Sequence, residues 1–223
     1  MPLLLSLLLT ACGTDPEPLT CAEGELLDGE QCVPEACGTG AWGNLQTDGD
    51  TIYVDASAKD GGDGSKESPF TVIQEGLDAQ GDKAMVAVAA GTYVENLQMT
   101  RDHSGVYLAG RCRELVNIDA SEGDEEDYET GSGILLYGSG FTDSWTISGL
   151  TITGASWPGI LQVYGNLSLE RVAVTGNRYR GIDIEGGVLL ATDCIVEANL
   201  EIGVYLLEAT ATLEGVQILD TLP

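Results

Sequence analysis

The chain has 223 residues, 36 of them acidic and 9 basic, for a net charge of −27. A surface of that sign repels phosphate backbones and anionic headgroups, which argues against nucleic acid as a partner and against adsorption to a membrane surface. With 43% hydrophobic residues and 30 glycines, the chain also differs from acidic disordered sequences and fits one turn-rich domain with a small appendage.

Residues 3–9 form a short apolar run broken only by Ser6, and Leu9-Thr10-Ala11-Cys12 follows at once. A segment this short ending in small residues is a secretory signal rather than a membrane span, which needs about 20 apolar residues. The Cys after Thr-Ala resembles a bacterial lipobox, in which that Cys is diacylated and becomes the mature N-terminus. The competing reading is an ordinary signal peptide with an incidental Cys. No Lys or Arg precedes the apolar run, which points to a start upstream of Met1. In lipoprotein families Gly rather than Asp after the Cys favours the outer membrane, and Gly13 stands there. Export to the outer membrane or cell surface, with the lipid as the only membrane contact, is therefore expected.

The cysteine usage suits an oxidising compartment. Setting Cys12 aside for lipid leaves Cys21, Cys32, Cys37, Cys112 and Cys194. The first three lie in a Gly-, Glu- and Pro-rich stretch too small to bury a core, where disulfides would compensate. A zinc site is the alternative, but the spacings are wrong and His103 is the single histidine. The pairing expected is Cys21 with Cys32 and Cys37 with Cys112, leaving Cys194 as a free thiol. The expected layout is a signal over 1–11, a lipidated tether over 12–20, a Cys-rich segment over 21–44 and the main domain over 45–223.

That domain is read from a repeat. Leu150, Val172, Cys194 and Val216 are spaced by 22, as are Ile152, Val174, Val196 and Ile218. Trp145, Leu167, Leu189 and Ala211 form a third series, and Ile147, Leu169, Ala191 and Leu213 a fourth. Gly159, Gly181 and Gly203 keep the same interval, each followed by an aliphatic residue. Inside each repeat the local period is two, which means strand. Twenty-two residues are too few for a helical crossover between parallel strands, and the leucine-rich pattern of similar length is absent. What remains is a coil of short strands stacked about 4.8 Å apart. Cys194 falls in an inward aliphatic column, so its expected role is packing. Asn177 and Asn199 follow Gly176 and Ala198; Asn tolerates left-handed corners, and stacked Asn side chains hydrogen-bond along the axis.

Upstream the period loosens. Residues 133–136 match 159–162 at an offset of 26, and residues 105–108 are taken as the same position one coil earlier, with a still earlier strand over 85–89. Residues 119–129 carry seven carboxylates and are expected to be a solvated loop. Val216 and Ile218 open a fourth repeat with no polar terminal layer before Pro223, so the sequence is read as an incomplete gene product.

Four motifs occur in order: Thr51-Ile52-Tyr53-Val54-Asp55, Gly61-Gly62-Asp63-Gly64-Ser65, Ser68-Pro69-Phe70-Thr71, and Ala89-Ala90-Gly91-Thr92-Tyr93-Val94-Glu95-Asn96. Over residues 50–118 the chain resembles the opening of pectin-lyase-like right-handed parallel β-helix domains of unknown function in bacterial surface proteins. The resemblance implies an all-β solenoid whose open end is capped by a helix over residues 70–80. The spacing of Val72, Ile73, Gly76 and Leu77 supports that helix independently, with Ser68 as N-cap and Pro69 first.

Carbohydrate-active β-helices place their sites on outward faces of the coil. If Ile160, Ile182 and Val204 point inward, then Leu161, Asp183 and Tyr205 point outward, as do Val163, Glu185 and Leu207. Asp183 and Glu185 then lie about 6.6 Å apart on one strand, a spacing at which inverting glycosidases hold their acid and base. In a chain this acidic the favoured reading is two solvated carboxylates. Trp157 and Tyr179 occupy equivalent positions in adjacent coils, so their rings are expected to stack. Arg171, Arg178 and Arg180 lie within ten residues of one another. Aromatic platforms beside arginine suit sugar faces and uronate carboxylates; the alternative is a turn aromatic with arginines neutralising nearby acids.

No cofactor is expected. Calcium is the one cation with ligands on offer, from Asp60, Asp63 and the 119–129 loop, without EF-hand spacing. Neither the carboxylate cluster and catalytic Arg of pectate lyases nor the short Asp motifs of polygalacturonases are recognisable. The reading is therefore non-catalytic binding of a polysaccharide or envelope partner through Trp157, Arg178, Tyr179, Arg180, Asp183 and Tyr205. The alternative is a polysaccharide lyase or hydrolase using Asp183, Glu185 and Arg180. The lipobox reading is checked directly: full-length protein should partition into detergent and incorporate labelled palmitate, and Cys12→Ser should abolish both. Unlabelled, fully soluble wild-type protein from an intact host would refute it.

Overall fold

The structure, a computed structural model, describes residues 19–22, 24–81 and 85–219. The apolar leader and Cys12 lie outside the described residues. From Thr51 onward the chain winds through three strand positions per coil, each strand parallel to its counterpart one coil earlier. The result is an all-β parallel solenoid of about six turns with 22-residue coils.

The first stack holds Thr51–Val54, Met85–Val88, Tyr107–Gly110, Ser144–Ser148 and Asn166–Glu170, continued by the later halves of Ile182–Thr192 and Val204–Glu214. The second runs from Gly91–Val94 through Val116–Asp119, Thr151–Thr153, Ala173–Thr175 and Ile195–Glu197 to Gln217–Leu219. The third holds Leu97–Thr100, Ile134–Tyr137, Ile160–Val163 and the first halves of the two long strands. Where the coils carry no insertion, the pairing reproduces the 22-residue columns: Trp145 lies on Leu167, Leu167 on Leu189, and Ile152 on Val174. These side chains enclose one continuous core, in which Val172 and Cys194 are also buried. Cys194 is a free thiol, and burial raises its pKa.

Polar backbone inside the corners is satisfied by a ladder. Asn177 Oδ1 accepts from Ala155 N–H at 3.0 Å, and Asn199 Oδ1 accepts from Asn177 N–H and Nδ2 at 3.1 and 2.9 Å. Asn199 Nδ2 donates to the Val174 carbonyl at 3.0 Å. The left-handed backbone falls one residue earlier than expected, on Gly154, Gly176 and Ala198, which frees each Asn to turn inward. The glycine column has a steric cause. A Cβ on Gly181 would stand 2.5 Å from Val196 Cγ1 and 2.7 Å from Asn199 Nδ2, and one on Gly159 would stand 2.5 Å from Asn177 Nδ2. Any side chain there would displace the ladder.

Two expectations for the early coils need correction. Residues 105–108 do not precede 133–136 in the same stack. Tyr107–Gly110 belongs to the first stack and pairs with Met85–Val88 and Ser144–Ser148, whereas Ile134–Tyr137 lies on Leu97–Thr100. The 120–132 insertion stretches that coil and hides the true offset. The helix is also shorter than residues 70–80, spanning Ile73–Asp78 with Val72 as N-cap and no side-chain cap from Ser68. Its free N–H groups are satisfied from a distance: Glu95 accepts from Ile73 N–H at 2.7 Å and Gln74 N–H at 2.9 Å. Ile73 and Leu77 bury into the same core as the strands Thr51–Val54 and Met85–Val88.

The cysteine-rich segment is an antiparallel hairpin, Glu25–Asp28 with Gln31–Pro34. Cys21–Cys32 closes it, and Cys37–Cys112 ties it to the coil, as read from the sequence. Arg111 completes the attachment. Its buried guanidinium pairs with Asp28 at 2.8 Å and donates to the Cys37 and Gly38 carbonyls. Hydrogen bonds from Gly40 N–H and then Arg111 hold the Asp28 carboxyl below its usual range.

The columns predict an asymmetric response to charge. Val172→Asp should leave an unpaired carboxylate in the dry stack and lower stability by several kcal/mol. Thr175→Asp, on the half-buried outer side of the adjoining strand, should remain near wild type in denaturant melts. Equal losses for both would contradict the inward assignment.

Candidate functional site

In the third stack, residues alternate between core and outside. Ile134, Ile160 and Ile182 point in, so Leu135, Leu161, Asp183 and Tyr205 form one outward row, and Tyr137, Val163, Glu185 and Leu207 the next. That assignment follows the sequence pattern. The expectation that Asp183 is solvated does not hold, because its side chain is completely buried, and Leu161 is buried as well. The cover over Asp183 comes from the acidic insertion. Tyr128, inside the run of carboxylates, folds back and donates its hydroxyl to Asp183 Oδ2.

The same oxygen receives Arg180 Nη1 at 2.6 Å. The Arg180 guanidinium lies 4.7 Å from the Tyr179 ring centre and 3.7 Å from that of Tyr205. Trp157 and Tyr179 do meet across adjacent coils, at 5.3 Å, but edge to face at 76° rather than stacked. Tyr128 completes a triad, 5.3 Å from Trp157 and 6.0 Å from Tyr179. Arg178 is exposed and pairs with Glu125 of the insertion. Trp157, Tyr179, Arg180, Asp183 and Tyr205 are thus brought together. Arg171 is not: it pairs with Glu170 and lines a separate cleft of about 240 Å³ beside the Cys37–Cys112 bridge.

Electrostatics follow from this packing. Burial and then the Asp183 carboxylate push the Tyr128 phenol far above its ordinary pKa, so it stays a donor. Burial acts to lower the Arg180 pKa, but the Asp183 carboxylate outweighs it and the net direction is up. Burial and then the Asp183 charge raise Glu185, which is half-buried. Asp183 Oδ1 and Arg180 Nε are buried without a protein partner, so the pair keeps one acceptor and one donor unused.

The insertion is a poor calcium site as folded. Asp119, Asp124 and Asp127 each accept from backbone N–H groups two or three residues on, and Glu125 is engaged by Arg178. Among the described residues, the one metal-sized group of possible ligands is Cys37, Cys112 and Glu114, and its two sulfurs form a disulfide. Tyr128 is the residue that sequence reasoning missed. The signal available was a single aromatic within seven carboxylates, a place where a merely solvated loop has no use for one.

No family model matches the sequence, and no curated protein matches it. Solved structures do. Pectate lyase Pel9A superposes with a TM-score of 0.60 at 18% identity, over 74% of this chain and 46% of that one. Pectin methylesterase PemA from Erwinia chrysanthemi gives 0.46 at 16% identity, over 69% and 56%. The chain spans about half the length of these proteins, and at 18% identity the likeness to Pel9A establishes the parallel β-helix fold alone.

One pH dependence follows from Glu185. Its folded pKa lies above its unfolded value, so the stability it contributes is complete below the ordinary glutamate range and is lost as pH rises through the folded value. Glu185→Gln should therefore melt at or above the wild-type temperature at pH 7, with the difference vanishing near pH 4. A variant less stable at pH 7 would mean that the charged form is the favoured one.

Proposed function

We propose that this chain is the β-helical module of an exported, lipid-anchored surface protein, wound as a right-handed coil, that binds an extracellular glycan or another envelope surface without cleaving it. The contact region is the face around Trp157, Arg178, Tyr179, Arg180, Asp183 and Tyr205. The observation that carries this reading is the state of Asp183. A carboxylate that is fully buried, ion-paired to Arg180 and capped by Tyr128 is closed off from bulk solvent, whereas an acid or base must reach a substrate proton. The same contacts lock the three rings in place, and a rigid aromatic surface loses little entropy on binding. Solved β-helices of this shape include a protein named a pectate lyase, in keeping with a carbohydrate ligand.

The enzyme alternative keeps one support. Burial and then the Asp183 charge raise the Glu185 pKa, and Glu185 lies two residues from Asp183 on the same outward face, so an opened insertion would present two carboxyls side by side. The test is a glycan array with the full chain carrying Cys12→Ser, compared with the same chain bearing Trp157→Ala or Arg180→Ala. Each should weaken binding by about 1–3 kcal/mol. Binding indifferent to both would move the site elsewhere. Release of reducing ends or unsaturated uronates, lost on Asp183→Asn, would establish the enzyme instead.

A further inference from the structure

The aromatic triad around Trp157 is already packed on itself, and both nearby arginines are already paired. A second aromatic pair stands more open to solvent. Phe141 and Tyr164 lie edge to face at 5.9 Å and 85°, with 64% and 46% of their surfaces exposed. Two large rings thus face water side by side, an apolar spot on a strongly acidic chain.

The backbone under Tyr164 sharpens the question. This residue turns the corner between Ile160–Val163 and Asn166–Glu170 with a φ of +60°, in the left-handed region. One coil later the same corner is Gly186, at +88°, where the conformation carries no Cβ penalty. A tyrosine there is strained, and its half-exposed ring gains no core contact in return. Glu208 holds the same corner one coil further on at +51°, so the left-handed turn is a feature of the coil, and what sets Tyr164 apart is a large ring held open to water.

The partner ring is held in place as well. Asn166 Nδ2 donates to the Phe141 carbonyl at 2.6 Å, and Asp143 Oδ2 accepts from Ser139 N–H and Oγ at 2.8 and 3.0 Å. Beside the rings lies a hollow of about 110 Å³ lined by Val163, Tyr164, Glu185, Gly186, Leu207 and Glu208. Gly186 shapes its floor, because a Cβ there would stand 2.8 Å from the Tyr164 ring. The lining offers two carboxylates, which accept hydrogen bonds from hydroxyls, and no basic group to receive an anion.

We propose that Phe141 and Tyr164, with Glu185 and Glu208, form a contact platform for an uncharged, hydroxyl-rich polysaccharide. The proposal rests on the glycan-binding reading and narrows its ligand. The rings take the apolar face of a sugar, the two carboxylates take its hydroxyls, and the charge of −27 disfavours a uronate. Glu185 adjoins Asp183 on the outward face, so the platform extends the same surface.

The test is calorimetric titration of the full chain carrying Cys12→Ser with neutral hexasaccharides (cellohexaose, xylohexaose, mannohexaose) and with hexagalacturonate. A neutral hexasaccharide should bind, and Phe141→Ala and Tyr164→Gly should each lower its affinity about tenfold or more. Tyr164→Gly should melt at or above the wild-type temperature, since it relieves the left-handed strain; Phe141→Ala, on an exposed loop, should leave the fold intact. Neutral binding unaffected by both changes but lost on Trp157→Ala overturns the platform and leaves the wider glycan reading standing. Binding of hexagalacturonate alone overturns the choice of an uncharged ligand. Silence from all four hexasaccharides overturns platform and glycan reading together.

Discussion

Every coil of this solenoid must lay its strands on those of the coil before, in parallel and in register, and little else in the structure is free of that demand. A shift of one residue would send an entire inward row to the outside. The backbone bonds between coils therefore hold only if each position accepts the side chain stacked above and below it. Aliphatic residues satisfy this along the strands, where Leu167 rests between Trp145 and Leu189. The corners need something else, because their carbonyls and N–H groups turn away from the ladders and are still enclosed. Asn177 and Asn199 meet that need by bonding to one another along the axis, and the glycine column meets it by leaving them room.

The stacking constraint also explains where variation is admitted. An insertion inside a strand would break two ladders, whereas one at a corner breaks none. The 120–132 segment enters at such a corner, between Val116–Asp119 and Ile134–Tyr137, and the strands on either side keep their partners. Once outside the coil, the insertion covers an outward row, and the least costly way to bury Leu161 and Asp183 together is to supply a ring and a hydroxyl at once. Tyr128 supplies both. A carboxylate buried under it then needs a cation, which Arg180 provides from three residues away on the same corner and strand.

What could be read beforehand follows from the range over which each feature acts. The repeat was legible from Leu150 onward because those coils carry no insertion, so contacts 22 residues apart appear as a fixed period. Upstream, residues 105–108 carried the Gly-aliphatic signature of one stack and took their place in another, since the offset needed to tell them apart was buried in the insertion. The short helix ran past its true ends in the reading because its cap is Glu95, more than twenty residues on, and no local pattern announces such a partner. The poverty of the Cys-rich segment's own core argued for disulfides there, and the pairing expected is the one found. In the site, Trp157, Tyr179, Arg180 and Asp183 were found together because they share the period, and Tyr128 was missed because it does not.

Charge supplies the last step. With 36 acidic groups against nine basic ones, an arginine in this chain finds a carboxylate before it finds a ligand. Arg111 is taken by Asp28, Arg171 by Glu170, Arg178 by Glu125 and Arg180 by Asp183. A basic cluster in a neutral protein is a standing invitation to anions; here the charge of each arginine is offset by a carboxylate of the chain itself. Recognition by such a molecule has to run through groups whose attraction survives a strongly negative field. Aromatic faces do so because sugar C–H groups carry slight positive charge, and carboxylates do so because hydroxyls approach them as donors. On the glycan-binding reading proposed above, the acidity that first argued against nucleic acid also argues for an uncharged ligand over an anionic one.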